Sequence, residues 1–362
     1  MASFMIKRFF KSYCWSLVLL TALLVGAGIL NQASASSGGI LFKKQLIWYA
    51  MGSFLLFGLS FVDYQKIFSV RFVFIFYLFF LLLLVFLVIK GDRWLRLPGF
   101  SIQPSEFAKL ALIFVSSLIL HRHEDSVLSW KTFGLLTLFA LPLCVLVAAT
   151  DLDQGMMLFL LYASFVVVAG IPKRILALGV AAALAIAFLA GPYVWKMLQP
   201  YQRARVEAFI NPEAFALDRG YQVLQALIAV GSGGWTGLGF KQGISSRLNY
   251  LPEKHTDLAF AVWAEEWGFI GSTFIVCCFA LLIFQILKIA CQVRDPLGRY
   301  LCFGVAAMFF WEMLINVGGI IHILPIASVP LPFLSYGGSS VLANMSAIGL
   351  VLSVSRKRYS FR

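Results

Sequence analysis

About ten stretches of the chain, near residues 13–31, 46–62, 70–89, 105–120, 132–149, 156–171, 175–193, 259–287, 300–321 and 336–355, are apolar over close to the length of a membrane span. A helix crossing the hydrocarbon core needs roughly 20 such residues. The pattern predicts an all-α polytopic membrane protein, read as one integral membrane domain over residues 1–362. Composition agrees, with 61% hydrophobic and 12% charged residues, against about half and a quarter in soluble domains. The six cysteines lie in or beside apolar segments without framework spacing, which argues against disulfides and thiol metal sites. The first stretch has two readings. Lys7, Arg8 and Lys11 precede it and Ala33-Ser34-Ala35 follow it, the layout of a cleavable signal peptide; kept or removed, it leaves the orientation of the others unchanged.

Orientation follows from where Lys and Arg fall in short loops. With a cytoplasmic N-terminus, 16 of the 29 Lys and Arg residues lie inside, both termini are cytoplasmic, and a large extracytoplasmic loop spans 193–258. The outer side keeps the rest, concentrated around 90–109 and in that loop. Basic residues on the wrong side of the positive-inside rule need a local reason, and an anionic ligand at the outer face supplies one. The net charge of +13 is therefore assigned to membrane topology rather than to nucleic acid.

Four clusters on the outer side carry chemistry. Leu251 to Gly268 holds Asp257 at the mouth of an apolar run, where a carboxylate is costly without partners or a task. Glu265, two turns on, is expected to form a buried pair with a Lys or Arg. In the long loop, Arg203 and Arg205 stand among aromatics, and Gly231-Ser232-Gly233-Gly234 permits close backbone approach. Two readings stand for this loop: a phosphate or sugar site, or an amphipathic segment with Val223, Leu224, Leu227 and Ile228 facing lipid. No Gly-Lys-Ser/Thr follows, so a nucleotide P-loop is excluded. Near residue 100, Trp94 suits an interface anchor, Pro104 and Ser105 suit a helix start, and Glu106 with Lys109 can pair at i, i+3, unless Lys109 reaches a phosphate. In Thr150 to Gly155, Asp153 is the expected N-cap of the next helix. His121-Arg122-His123-Glu124 reads as a solvated inner loop rather than a metal site, and Pro330 to Ser340 as helix-packing architecture.

Gln103-Pro104-Ser105-Glu106-x-x-Lys109, Gly231-Ser232-Gly233-Gly234, Leu251-Pro252-Glu253-x-His255-Thr256-Asp257, Glu265-Glu266-x-Gly268 and Pro330-Leu331-Pro332-Phe333-x-Ser335-Tyr336-Gly337-Gly338-Ser339-Ser340 together resemble the SEDS family of shape, elongation, division and sporulation proteins. The set runs in the family's order from about residue 90 to the C-terminus. The resemblance implies the SEDS-type fold and a peptidoglycan glycosyltransferase of the bacterial cytoplasmic membrane that polymerises lipid II at the outer face. It makes Asp257 the catalytic residue, and places Trp94, Glu106 and Lys109 at positions of functional importance. Partners implied are lipid II, undecaprenyl-pyrophosphate-linked glycan, membrane lipid and a class B penicillin-binding transpeptidase. Lys241-Gln242-Gly243 and the short termini look more like RodA, of elongation, than FtsW, of division. The chain departs from the usual pattern at Leu152, at Ala327-Ser328 where Thr-Gly is usual, and at His322.

Glycosyl transfer from a lipid pyrophosphate needs a base at the acceptor hydroxyl and positive charge at the leaving group. Asp257 suits the first role. Arg203, Arg205, Lys109 and Arg93 suit the second, with Glu253 and His255 beside Asp257 as further substrate contacts and a divalent cation, magnesium or manganese, as a supplement. No protein metal site is read. A lipid flippase and a non-catalytic scaffold remain the competing classes; the flippase calls for ionisable residues deep in several helices, and Glu312 with Glu265-Glu266 are few.

Overall fold

The structure, a computed structural model, describes residues 14–36, 39–98, 100–122, 128–171, 209–215, 219–248 and 250–357, and singly 177, 181, 203 and 207. Helices dominate. In chain order they are α1 (Trp15–Ala35), α2 (Ile40–Phe61), the single turn α3 (Tyr64–Ile67), α4 (Val70–Lys90), α5 (Pro104–Arg122), α6 (Trp130–Thr150), α7 (Leu152–Val168), α8 (Arg219–Ser232), the turn α9 (Ile244–Arg247), α10 (Ala259–Gln292), α11 (Pro296–Ile320) and α12 (Gly338–Lys357). Eight of these are long and apolar enough to cross a membrane; the 17-residue α7 is shorter. The expected span at 175–193 lies, apart from Ala177 and Ala181, outside the described residues.

Local chemistry sets the ends. Ser69 and Ser129 accept from backbone N–H groups in the first turns of α4 and α6, each satisfying a donor the helix cannot. Gly91 closes α4 in the left-handed region at φ 68°, where glycine carries no Cβ penalty. The cap of α7 is Asp151, not Asp153: the Asp151 carboxylate accepts from Gln154 N–H. Asp153 is displaced to the first turn, which frees its carboxylate for a loop.

Each span sorts its residues by face. In α4, Val73, Tyr77, Phe80, Leu84 and Leu87 are buried while Phe74, Phe79, Leu82 and Ile89 are exposed, the stripe of a helix with protein on one side and lipid on the other. α5 is buried nearly all round. It runs between α4, α6, α11 and α12, and α10 packs on α11 and α1.

The polar loops gather at two opposite ends. At one, Tyr64 donates to Asp295 at 2.7 Å and Lys357 pairs with Asp63 at 2.5 Å. At the other lie the antiparallel hairpin β1 (Leu95–Leu97) with β2 (Phe100–Ile102), the start of α7, the 233–258 region and the 321–337 loop. α1 ends and α12 starts at this second end, so Trp15 and Lys357 share the first. Ser34 and Ala35, in the signal-like motif, are buried, and Ser34 donates to Glu266.

α10 breaks at Gly268, whose φ is 64° and ψ −160°. Backbone from the glycine run fills the break: Leu238 N–H and Gly239 N–H donate to the Glu265 and Glu266 carbonyls at 3.0 Å, and Phe269 N–H returns to Gly234 at 2.8 Å. The glycines thus serve chain-to-chain packing, since a Cβ at Gly233 would strike the Ala264 carbonyl and one at Gly268 the Gly237 nitrogen. In α8, Val223 turns inward with Ala226 and Ala229, while Ile228 faces out. Gly268→Ala is expected to cost more than about 2 kcal/mol, read as a lowered unfolding temperature in detergent; an unchanged temperature would show that the break tolerates a side chain.

Candidate active site

Two loops build the site, and buried amides inside the spans stitch them together. The first loop, 251–258, winds in tight turns into α10; the second, 327–337, leads into α12. Gln32 of α1 donates to His255 O at 3.0 Å and Leu334 O at 2.9 Å. Asn316 of α11 donates to Asp257 O at 3.0 Å and Val329 O at 2.8 Å. Each amide thereby bridges one carbonyl from each loop. Tyr336 N–H adds a direct bond to His255 O at 2.7 Å, and Tyr49 of α2 donates to Phe333 O at 2.5 Å. Asn316→Leu would strand two carbonyls, each worth roughly 1–3 kcal/mol when buried without a donor. The expected result is a fall in both unfolding temperature and turnover; normal values of both would exclude the bridging role.

Between these loops, the β1–β2 neck and α8 lies a cavity of about 330 Å³ whose wall includes Arg93, Trp94, Glu253, Asp257, Ser328 and Tyr336. Glu253 sits at φ 46°, a conformation rare outside glycine. The turn holds it there through Thr256 N–H and Leu258 N–H, which donate to Glu253 O at 3.1 and 3.3 Å.

Burial pushes the Asp257 carboxyl up to about 6, with Glu253 adding to the rise; the Arg93 guanidinium and the nearby Ser328 side chain oppose it. Asp151 is raised by burial and by Asp153, against the Gln154 N–H bond and Arg93, which reaches it at 3.2 Å. His255 is lowered by burial and by Lys254, so its imidazole is neutral at pH 7. The result is a carboxylate poised to titrate just below neutrality beside one guanidinium, the setting of a general base next to an anion.

Glu106 and Lys109 are not on the cavity wall. Lys109 is fully buried in α5, donating to Glu106 at 2.9 Å and to Glu312 of α11. Gln154 Nε2 lies between this triad and the cavity, 3.3 Å from Glu106 Oε1 and 3.4 Å from Ser328 O. Glu265, expected to pair with a Lys or Arg, does not do so among the described residues; its Oε1 accepts from Ser245 N–H at 2.9 Å, which fastens the 243–245 backbone to α10. Arg203 is partly buried and is not among the cavity-wall residues, His255 contributes through its backbone carbonyl, and Arg205 lies outside the described residues. Among the described residues no group of three or more His, Cys, Asp or Glu side chains converges as a metal site. Sequence reasoning assigns no role to Gln32, Asn316 or Gln154, and marks Ser328 only as a departure from the family's pattern. Their one signal was a lone polar residue within or beside an apolar run.

The family of cell cycle proteins typified by FtsW, RodA and SpoVE matches over residues 8–360. The chain belongs to this family. It is 33% identical over 365 residues to a probable peptidoglycan glycosyltransferase FtsW of Geobacter sp. (strain M18), covering 96% of this chain and 98% of that one. It is 37% identical over 272 residues to the peptidoglycan glycosyltransferase MrdB of Escherichia coli K12, covering 74% and 72%. Among solved structures, a chain of a peptidoglycan synthase complex superposes with a TM-score of 0.81 at 31% identity over 96% of this chain and 98% of that one. The rod shape determining protein RodA of Thermus thermophilus does so at 0.70 and 27%, with the same coverage. Within this SEDS fold, two of the motifs that carry departures meet: Asp153 Oδ2, next to Leu152, accepts from Ser328 N–H at 2.7 Å.

Proposed function

We propose that this peptidoglycan glycosyltransferase polymerises lipid II into glycan strands at the outer face of the cytoplasmic membrane. The observation that carries the reading is Asp257, a carboxylate raised to about 6 on a cavity wall shared with Arg93 and Trp94. In the proposed step, Asp257 takes the proton of the acceptor sugar's 4-hydroxyl as its oxygen attacks the anomeric carbon of the donor. The bond to the donor's pyrophosphate breaks, and polyprenyl pyrophosphate leaves with the electron pair. Arg93 stabilises the departing charge; a divalent cation, held mainly by the pyrophosphate oxygens themselves, would supply further positive charge there. Trp94 offers a ring face to a sugar, and the exposed apolar sides of the spans meet the lipid tails.

Orientation of the cavity outward rests on the loop charges and agrees with Trp15 and Lys357 lying at the opposite end of the helices. The assignment to elongation rests on Lys241-Gln242-Gly243; relatives named FtsW and MrdB both support the wider activity. A class B penicillin-binding transpeptidase is the proposed partner, consistent with the synthase-complex relative. Purified protein in liposomes with fluorescent lipid II tests the reading. Glycan chains digested by a muramidase are expected; translocated lipid without polymer, or neither, would overturn it in favour of a flippase or a scaffold. For the cellular role, depletion is expected to give rounded cells, and filaments with blocked septa would assign it to division.

A further inference from the structure

The first turn of α7 reaches for one residue of the second loop from two sides. Asp153 Oδ2 accepts from Ser328 N–H at 2.7 Å, and Gln154 Nε2 lies 3.4 Å from Ser328 O. The turn itself is fixed, because Asp151 caps it at Gln154 N–H, 3.3 Å, and Arg93 holds the Asp151 carboxylate at 3.2 Å. With its peptide gripped at both N–H and C=O, Ser328 lies on the same cavity wall as Asp257, and Asn316 ties the two segments together at the Asp257 and Val329 carbonyls. Asp257 is immobilised from behind through its own carbonyl by Asn316.

The other charged groups that bear on Asp257 are Glu253 from its own loop, Arg93 from the β1–β2 neck and Asp151 from the start of α7. Two of these repel its ionised form, and Arg93, the one that favours it, is divided between Asp257 and Asp151. Ser328 is a neutral donor. A hydroxyl donated to a carboxylate favours the charged form without adding charge to a site that must admit a pyrophosphate. The hydroxyl also belongs to one of the positions where the chain departs from the family's usual Thr-Gly.

We infer that Ser328 is a positioning residue for polymerisation, donating from its hydroxyl to the Asp257 carboxylate so that the base is held ionised and aimed into the cavity. The inference rests on the reading of Asp257 as the base. Loss of the hydroxyl removes a bond made to the charged form, so Asp257 must titrate at higher pH; the active fraction then falls first at the acid end.

The test measures polymerisation by the full chain in liposomes from pH 5 to 8.5, for wild type and for Ser328→Ala, Ser328→Gly and Ser328→Thr. In the Ala and Gly variants the acid limb is expected to move up by at least about half a pH unit, cutting the rate at pH 5 at least ~3-fold. Their rates at pH 8 should stay within about twofold of wild type, and the Thr variant should keep the wild-type limb. An equal loss at every pH, or no shift of the limb, would overturn the inference, because a merely structural Ser328 gives one of those results. Should a variant fail to fold, Ser328→Thr and whichever of the other two folds still decide the matter. A wild-type profile with no acid limb overturns the Asp257 reading itself, and the inference with it.

Discussion

Asp257→Asn is expected to lose polymerisation and to gain stability. Asparagine keeps the shape of the side chain and its capacity to accept from Ser328, but has no basicity, and a positioned general base contributes typically 10²–10⁴-fold. The stability sign follows from linkage. The folded-state carboxyl titrates at about 6 against an ordinary 3.8, so the folded protein holds the proton more tightly than the unfolded chain. The penalty is absent below the ordinary value, grows as pH rises toward 6, and is complete above it. Two units correspond to a destabilisation on the order of 3 kcal/mol at pH 7.5. The variant should therefore unfold at a higher temperature than wild type at pH 7.5, and the gap should close near pH 4. Measured together, these two readouts separate a dead site from a damaged fold. An inactive variant that is also less stable at pH 7.5 would mean that Asp257 holds the loop together rather than carrying out chemistry.

Lys109→Met is expected to be the most damaging single change. Lys109, Glu106 and Glu312 are all but completely buried, with side-chain exposures of 0%, 1% and 1%. Removing the ammonium leaves two carboxylates facing each other without a counter-charge, and breaking a buried ion pair from one side costs about 3–5 kcal/mol. Folded yield should collapse. Neutralising the carboxylates as well, in Lys109→Met with Glu106→Gln and Glu312→Gln, should recover much of it, because no buried charge is then left unpaired. Thermal unfolding and detergent-extracted yield measure both variants. A stable single mutant would contradict the account of the triad, and a triple mutant no better than the single would show that the ammonium's hydrogen bonds matter more than its charge.

Why some of this was legible in the sequence and some was not is a matter of range. Spans follow from the local requirement that about 20 consecutive residues suit lipid, and a stop such as Gly91 or a start such as Pro296 acts within a few residues of itself. Asp257 was conspicuous as an ionisable group at the mouth of an apolar run, while Glu253 and Trp94 were singled out only through the motifs of the family resemblance; the fold puts all three on one cavity wall. Gln32 and Asn316 were not, because each is an ordinary amide until the fold brings residues 223 or 302 positions away, and 59 positions away, to its two N–H groups. The break at Gly268 was hidden for the same reason: the apolar pattern continues through it, and only the arrival of the 233–239 backbone makes a helix interruption favourable. Lys109 and Glu106 were correctly read as a pair, yet the third member, Glu312, lies 203 positions from Lys109, so an apparently membrane-edge pair is in fact an interior triad. Asp151 and Asp153 exchanged roles because capping depends on where the chain turns, a choice that the Ser328 contact decides as much as the local sequence.

The account stands on Asp257 acting as the base while ionised, and the pH dependence of polymerisation by the wild-type protein in liposomes tests that most directly. The predicted profile is flat from about pH 7 to 8 and falls tenfold per unit below about 6. A rate that passes through pH 6 unchanged, with the protein still folded, would contradict it.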